Sequence, residues 1–125
     1  MTTEQYKSMV AMLIAATKNR KLSWIESNDD FYTDIDGCTL WVCTQYDFNV
    51  NVSTYTLKLY NKDKVLFETF TYSEDTNSEE YQQLEVLYEN IRDVLYKITE
   101  SEHTILTKLE RLTISKLPKE ANHAF

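Results

Sequence analysis

The chain contains a single glycine, Gly37, and a single proline, Pro118, among its 125 residues. Nucleotide-binding folds need glycine-rich loops around phosphates, so one glycine excludes a phosphate loop and a dinucleotide-binding fingerprint. The same scarcity excludes collagen-like repeats and flexible glycine linkers. Asp36 and Gly37 stand between two runs of alternating apolar residues, which is the strongest short signal for a β-hairpin. The other residues, 42% hydrophobic and 26% charged overall, are typical of a folded globular domain.

The spacing of apolar residues changes twice along the chain. Residues 6–17 repeat at i, i+3, i+4 and i+7, which predicts an N-terminal helix with Tyr6, Val10 and Leu13 on its apolar side. The period then becomes two. Polar turns divide this second region into five predicted strands, at residues 22–27, 30–36, 38–48, 52–60 and 64–72. Short connections between successive strands predict an antiparallel meander.

Helical spacing returns after residue 78 and leaves two possibilities open. One continuous helix runs over 79–112, or Ser101 caps a second helix where the apolar stripe weakens. Pro118 cannot continue a helix. We therefore predict an α+β fold, in which an N-terminal helix precedes a five-stranded antiparallel β-meander and one long or two shorter C-terminal helices pack on the sheet. This single domain is expected to occupy residues 1–116, followed by a tail at 117–125.

Charge narrows the set of partners. The formal charge is −7, and twelve of the 20 acidic residues lie between residues 26 and 80. Negative charge repels phosphate backbones and anionic membrane surfaces, so we expect neither a nucleic acid nor a membrane as a partner. The acidic excess has two interpretations. It keeps the protein soluble, or it forms a face for a basic partner or a mimic of nucleic-acid charge.

The side chains that carry most catalytic and metal chemistry are few. Cys38 and Cys43 lie five residues apart on one predicted strand, so they point to opposite faces and lie too far apart for a disulfide. Two free thiols indicate a reducing cytoplasm. His103 and the acidic stretches lack the spacing of a metal site or a nucleophile with its base. We expect no metal, no cofactor and no enzymatic activity.

Alternation along the predicted strands gives the sheet two faces. One face collects apolar side chains, with Val65 and Phe67 from the last strand, and is expected to lie under the helices. The other face mixes polar and aromatic side chains. The aromatic residues there fit ordinary strand preference, or a helix or second subunit covers them, or they bind a partner or ligand. The candidate binding residues on this face are Tyr32, Asp34, Trp41, Tyr60, Phe70 and Tyr72.

The sequence leaves two roles open for two of the arginines. Arg92 and Arg111 both fall on the polar side of predicted helices. They are either solvated or paired with neighbouring carboxylates, or they bind an anion through the guanidinium fork. A nucleotide-like ligand would combine aromatic stacking with a phosphate held by Arg92 or Arg111.

Two short stretches resemble other proteins. Residues 16–24, Ala-Thr-Lys-Asn-Arg-Lys-Leu-Ser-Trp, pass from a helix into a strand, and residues 87–92, Leu-Tyr-Glu-Asn-Ile-Arg, head a later helix. With the meander between them, this order resembles small, largely uncharacterised α+β proteins of bacteria and their phages. The resemblance spans residues 6–112 and implies the helix–meander–helix order and a prokaryotic or phage source. It carries no activity and no site residue.

These observations together favour a small acidic, non-enzymatic interaction module in the cytoplasm. We expect it to self-associate as a homodimer or higher oligomer and to bind a protein partner, as a phage or mobile-element accessory factor acting on a host protein. The alternative is a module that binds a nucleotide-like small ligand. A small enzyme is the third possibility and would need His103 or the carboxylates gathered in a pocket.

Overall fold

The computed structural model describes residues 1–116, so the predicted tail at 117–125 and Pro118 lie outside the described residues. The chain divides into two compact units, Met1–Leu95 and Tyr96–Phe125, and each is described here by itself. The elements in chain order are α1 (Thr3–Lys18), β1 (Ile25–Ser27), β2 (Asp30–Ile35), β3 (Cys38–Asp47), β4 (Val52–Tyr60), β5 (Leu66–Ser73), α2 (Glu79–Tyr96) and α3 (Ile98–Lys116). The predicted α+β class is confirmed.

The five strands form one antiparallel sheet in the order β1-β2-β3-β4-β5, as predicted for a meander. Ile35 pairs with Cys38 across the first long hairpin. The two residues between them both have left-handed backbone angles, with φ of 50° at Asp36 and 87° at Gly37. Two such residues make the tight turn whose twist matches the strands. The Asp-Gly pair therefore sets the register of β2 against β3.

Helix α1 is fixed at both ends by local hydrogen bonds. The Thr2 hydroxyl accepts from the Gln5 backbone at 3.1 Å, and the Gln5 side chain accepts from the Thr2 backbone at 2.8 Å, which is a capping box. At the other end Arg20 is left-handed with φ of 56°, and the Lys21 N–H donates to the Ala16 carbonyl at 2.9 Å. This bond closes the helix in the manner of a Schellman motif.

Helices α1 and α2 pack on the same face of the sheet. Ser78 caps α2, since its hydroxyl accepts from the Tyr81 N–H at 3.1 Å, and Glu79 and Glu80 occupy the favourable first turn. Lys7 on α1 bonds to Glu79 at 2.9 Å. The core between the helices and the sheet consists of Tyr6, Val10, Leu13, Trp24, Phe31, Leu40, Val42, Leu57, Leu59, Leu84, Leu87 and Ile91.

The C-terminal region forms two helices rather than one. Lys97, between α2 and α3, has a left-handed backbone with φ of 51°, which ends α2. The prediction that Ser101 caps the second helix is wrong, because the Ser101 N–H donates to the Lys97 carbonyl at 2.9 Å inside α3. The break between the two helices therefore lies earlier in the chain than the point where the apolar stripe weakens. Neither α3 nor the other two helices described up to Lys116 is long and apolar enough to cross a bilayer.

Candidate functional site

The candidate site is the face of the sheet that points away from α1 and α2, called the outer face from here on. A stacked aromatic pair lies in its middle. The rings of Tyr32 and Trp41 have centroids 4.6 Å apart and planes inclined by 28°, and both residues are partly buried. Their contact follows from the β2–β3 register, which sets them directly opposite each other. The row of outer-face residues through this pair is Ile25, Tyr32, Trp41, Lys58 and Thr69.

A second row beside this pair is polar and charged. Asp34 is opposite Thr39, and the Thr39 hydroxyl donates to the Asp34 carboxylate at 2.7 Å. The Lys64 ammonium donates to the Thr39 hydroxyl at 3.2 Å and lies 4.0 Å from the Asp34 carboxylate. Asp34 remains exposed, so this ion pair contributes little to stability and leaves the carboxylate available to another cation. Tyr60 lies opposite Thr39 on the other side and completes the row.

A shallow polar depression of about 360 Å³ occupies the third part of the outer face. Burial, and then the neighbouring Asp30 carboxylate, raises the pKa of the Cys43 thiol to about 11. The thiol therefore stays protonated at neutral pH, and a protonated thiol is a poor nucleophile and a poor metal ligand. The Thr56 and Thr71 hydroxyls lie 3.2 Å apart. The residues around the depression are Asp30, Cys43, Thr44, Gln45, Thr54, Thr56, Lys58, Thr69 and Thr71.

Four of the six predicted face residues lie where the sequence placed them, namely Tyr32, Asp34, Trp41 and Tyr60. The placement of the other two, Phe70 and Tyr72, on the outer face is wrong. They pair with Leu57 and Tyr55 on the helix-covered face, and the Tyr6 ring of α1 lies 4.7 Å from Phe70 and 5.3 Å from Tyr72. Both aromatic residues are partly buried and pack against the core.

An extra residue in β5 explains this error. Leu59 pairs with Glu68, but the next residue, Tyr60, pairs with Leu66, so Phe67 has no opposite residue. Such a bulge shifts the alternation of one strand against its neighbour by one residue. The prediction that Val65 and Phe67 belong to the core is also wrong, because each is 56% exposed; Val65 precedes β5, and Phe67 is the bulged residue.

The two arginines lie on different helices and in different units. Arg92 is an exposed residue of α2, which covers the face opposite the Tyr32–Trp41 pair. It lies near Tyr88, where burial raises the pKa of the phenol and the positive charge of Arg92 opposes that rise. Arg111 lines a groove of about 290 Å³ along α3 with His103, Thr104, Thr107 and Lys108.

Sequence reasoning missed three contributors to the outer face. Asp30 was interpreted as part of an acidic loop, yet it lies at the start of β2 beside Cys43. Lys58 was placed on this face but not in the site, and the threonines of β4 and β5 were not assigned to this face at all. The available signal was the repeat of threonine at every second position, at 54 and 56 and again at 69 and 71. That spacing puts four hydroxyl groups on one side of two adjacent strands.

Within residues 1–116, no group of three histidine, cysteine, aspartate or glutamate side chains is placed to hold a metal ion. The chain matches no protein-family model, no curated protein and no solved structure.

Proposed function

We propose that the protein is a non-enzymatic interaction module of the cytoplasm, which self-associates and binds a protein partner through its outer face. The observation that carries the partner-binding proposal is the stacked Tyr32–Trp41 pair, at the centre of a sheet face that α1 and α2 leave uncovered. Aromatic side chains at the centre of a surface, with polar residues around them, are the usual arrangement of a protein interface.

Charge indicates what kind of partner fits. Asp30 and Asp34 flank the aromatic pair on one strand, and the whole chain carries a charge of −7. An acidic protein attracts a basic partner and accelerates its association. We therefore propose a partner that presents an aromatic or aliphatic side chain beside lysine or arginine. Following the resemblance to bacterial and phage proteins, we propose a host protein bound by a phage or mobile-element factor.

The titration behaviour of the described residues supports a non-enzymatic role. Burial raises the pKa of Cys43 to about 11 and that of Tyr55 to about 12, away from neutral pH. A general base or activated nucleophile needs a pKa moved towards the working pH. The surface pair Lys7 and Glu79 is shifted in the directions that keep both groups charged.

Site-specific photo-cross-linking in host cells tests partner binding. A photo-reactive phenylalanine analogue replaces Tyr60 on the outer face, and in a matched control it replaces Met12, which is 63% exposed on α1. We expect one host protein to be cross-linked at position 60 and not at position 12. Adding Trp41→Ala should abolish that product, because it removes half of the aromatic pair. Equal labelling from both positions, or a product insensitive to Trp41→Ala, would contradict the proposal.

A second control keeps loss of folding apart from loss of binding. Phe48, in the loop after β3, is 83% exposed and makes an edge-to-face contact with Tyr46 rather than with the outer-face pair. Phe48→Ala removes an exposed aromatic side chain as Trp41→Ala does, and it should leave the cross-link at position 60 intact. Loss of the product in both variants, with unchanged circular dichroism, would show that binding does not depend specifically on the Tyr32–Trp41 pair.

A small nucleotide-like ligand is the second candidate function. The observation in its favour is the depression of about 360 Å³, which has a cation, Lys58, at its rim beside Trp41. A ligand that binds only the folded protein raises its melting temperature. Nucleotides should therefore raise the Tm of the wild-type chain and not that of Lys58→Ala. A panel of nucleotides at millimolar concentration that leaves the Tm unchanged would exclude this candidate.

A further inference from the structure

Helix α3 carries an exposed apolar stripe. Ile105, Leu109 and Leu112 follow one another at spacings of four and three residues, so they share one side of the helix. Their side chains are 59%, 53% and 44% exposed. Leu106, 59% exposed, lies at the edge of the same side. These four residues are called the α3 stripe below.

A helix with such a stripe needs a surface to pack against. An isolated helix of about 15 residues is marginal in water, and most helical stability in proteins comes from burying an apolar face. Helix α3 has 19 residues. The described chain leaves the α3 stripe about half in solvent, so burial of the stripe by a partner stabilises the helix.

Charge favours a second copy of this chain over a basic protein as the partner of α3. Helix α3 contains three acidic and three basic residues and is neutral overall, whereas the chain carries −7. Two copies repel each other wherever their acidic parts approach. They meet without that repulsion along the neutral helix. A basic partner, in contrast, is attracted to the acidic part of the chain and gains nothing electrostatically from α3.

The position of Glu102 sets the orientation. Glu102 lies three residues before Ile105, on the same side of the helix as the stripe. Parallel pairing in register places the Glu102 carboxylates of both copies next to each other in the seam, where like charges repel. Antiparallel pairing about Thr107 places Ile105 opposite Leu109 of the second copy near the centre of the seam. It places each Glu102 at an end of the seam, beside Leu112 of the second copy, where the exposed carboxylate stays in solvent and far from its counterpart. It also aligns the two helix dipoles favourably.

We propose that the α3 stripe binds the α3 stripe of a second copy in an antiparallel two-helix seam centred on Thr107. This inference rests on the self-association in the proposed function and names the surface and geometry that produce it. The variants below change only residues of α3, apart from the two cysteine replacements, so they test this seam and not the surface proposed for the protein partner.

Sedimentation velocity of the full chain over a range of concentrations tests the surface. Leu109→Glu introduces an unpaired charge into the seam and should raise the dimer Kd at least about a hundredfold. Ile114→Glu is the matched control. Ile114 is 64% exposed on the same helix, but five residues from Leu109 and about 140° around the helix axis. We expect a dimer for the wild type and Ile114→Glu, and a monomer for Leu109→Glu.

Each of the other results contradicts either the α3 seam or the self-association of the chain. A dimer that persists in Leu109→Glu shows that the chain self-associates elsewhere, so the α3 proposal fails and the proposed function stands. A wild type that is monomeric at every concentration removes both the α3 seam and the self-association, while the cross-linking at position 60 still tests partner binding. Fluorescence of Trp24 and Trp41, both in the first unit, reports whether Leu109→Glu has lost its folded sheet.

Disulfide trapping tests the orientation and avoids charged substitutions. In a background of Cys38→Ser and Cys43→Ser, one sample carries Ile105→Cys and another carries Leu109→Cys. An antiparallel seam centred on Thr107 brings position 105 of one copy within disulfide distance of position 109 of the other, whereas a parallel pair in register does not. The mixed sample should therefore cross-link and each single sample should not. Cross-linking of Ile105→Cys with itself would establish a parallel pair, and no cross-linking in any sample would overturn the seam.

Discussion

Two consecutive buried hydrogen bonds tie α1 to the start of the sheet, and their removal is a quantitative test of the core. The Trp24 indole N–H donates to the Thr17 hydroxyl at 3.0 Å, and that hydroxyl donates to the Leu13 carbonyl at 2.7 Å. Thr17 is fully buried and Trp24 is 5% exposed. Thr17→Val keeps the shape of the side chain but leaves the indole N–H buried without an acceptor. We expect a loss of about 1–3 kcal/mol in the free energy of unfolding.

Urea denaturation of the wild type and the variant measures this loss. For a unit of this size each kcal/mol lowers the Tm by about 4–8 °C, so a thermal melt gives a second estimate. The matched control is Thr104→Val. The Thr104 hydroxyl bonds to the Glu100 carbonyl at 2.9 Å, as Thr17 does to Leu13, but Thr104 is exposed. Its replacement should change stability by no more than about 0.5 kcal/mol.

A double-mutant cycle isolates the bond itself. In a Trp24→Phe background the donor is already gone, so Thr17→Val should lose only a few tenths of a kcal/mol. The difference between the two backgrounds is the coupling energy, expected at about 1–2 kcal/mol. If Thr17→Val has the same effect in both backgrounds, the indole bond contributes nothing. The effect of Thr17→Val would then come from the lost bond to the Leu13 carbonyl and from packing.

Two other perturbations follow from the backbone and from burial. Gly37→Ala should lower the unfolding free energy by about 1 kcal/mol, because φ is 87° and the added Cβ would lie 3.2 Å from the Lys62 side chain. An unchanged urea midpoint would show that the alanine is not strained at this position. Burial raises the pKa of Tyr55 from 10.0 to about 12. Between those pH values the folded protein keeps the phenol proton and the unfolded chain releases it, so the free energy of unfolding falls as the pH rises. Urea midpoints at pH 9 to 12 should fall less steeply in Tyr55→Phe.

Local signals in the sequence predicted the parts of the fold that local chemistry determines. Asp36 and Gly37 predicted a tight turn, and their left-handed backbone angles confirm it. That turn fixes the β2–β3 register, so the alternation of Tyr32 and Trp41 predicted their shared face correctly. The spacing of Tyr6, Val10, Leu13 and Thr17 likewise predicted the buried side of α1.

Features that depend on two segments at once could not be predicted in this way. The alternation within β5 was regular, but the bulge at Phe67 comes from its pairing with β4, and it reversed the faces of Phe70 and Tyr72. The end of α2 is similar. Lys97 has a left-handed backbone, but lysine is not a residue type that favours this conformation. The sequence around it therefore contained no signal that a helix ends there. The polar depression could not be predicted either, because Asp30 of β2 and Lys58 of β4 both line it, and these two strands are not consecutive in the chain.

The bulge in β5 also has a consequence for edge-to-edge association between molecules. β5 is the last strand of the sheet, and such a strand presents unpaired backbone groups that can recruit the strand of another molecule. Val65, Leu66 and Phe67 are 45–56% exposed beside that edge, an apolar run of the kind that stacks into cross-β assemblies. The extra residue interrupts the ladder there, and the charges of Lys62, Asp63 and Lys64 precede it. Deleting Phe67 would therefore straighten the strand and turn a protected edge into a template for aggregation.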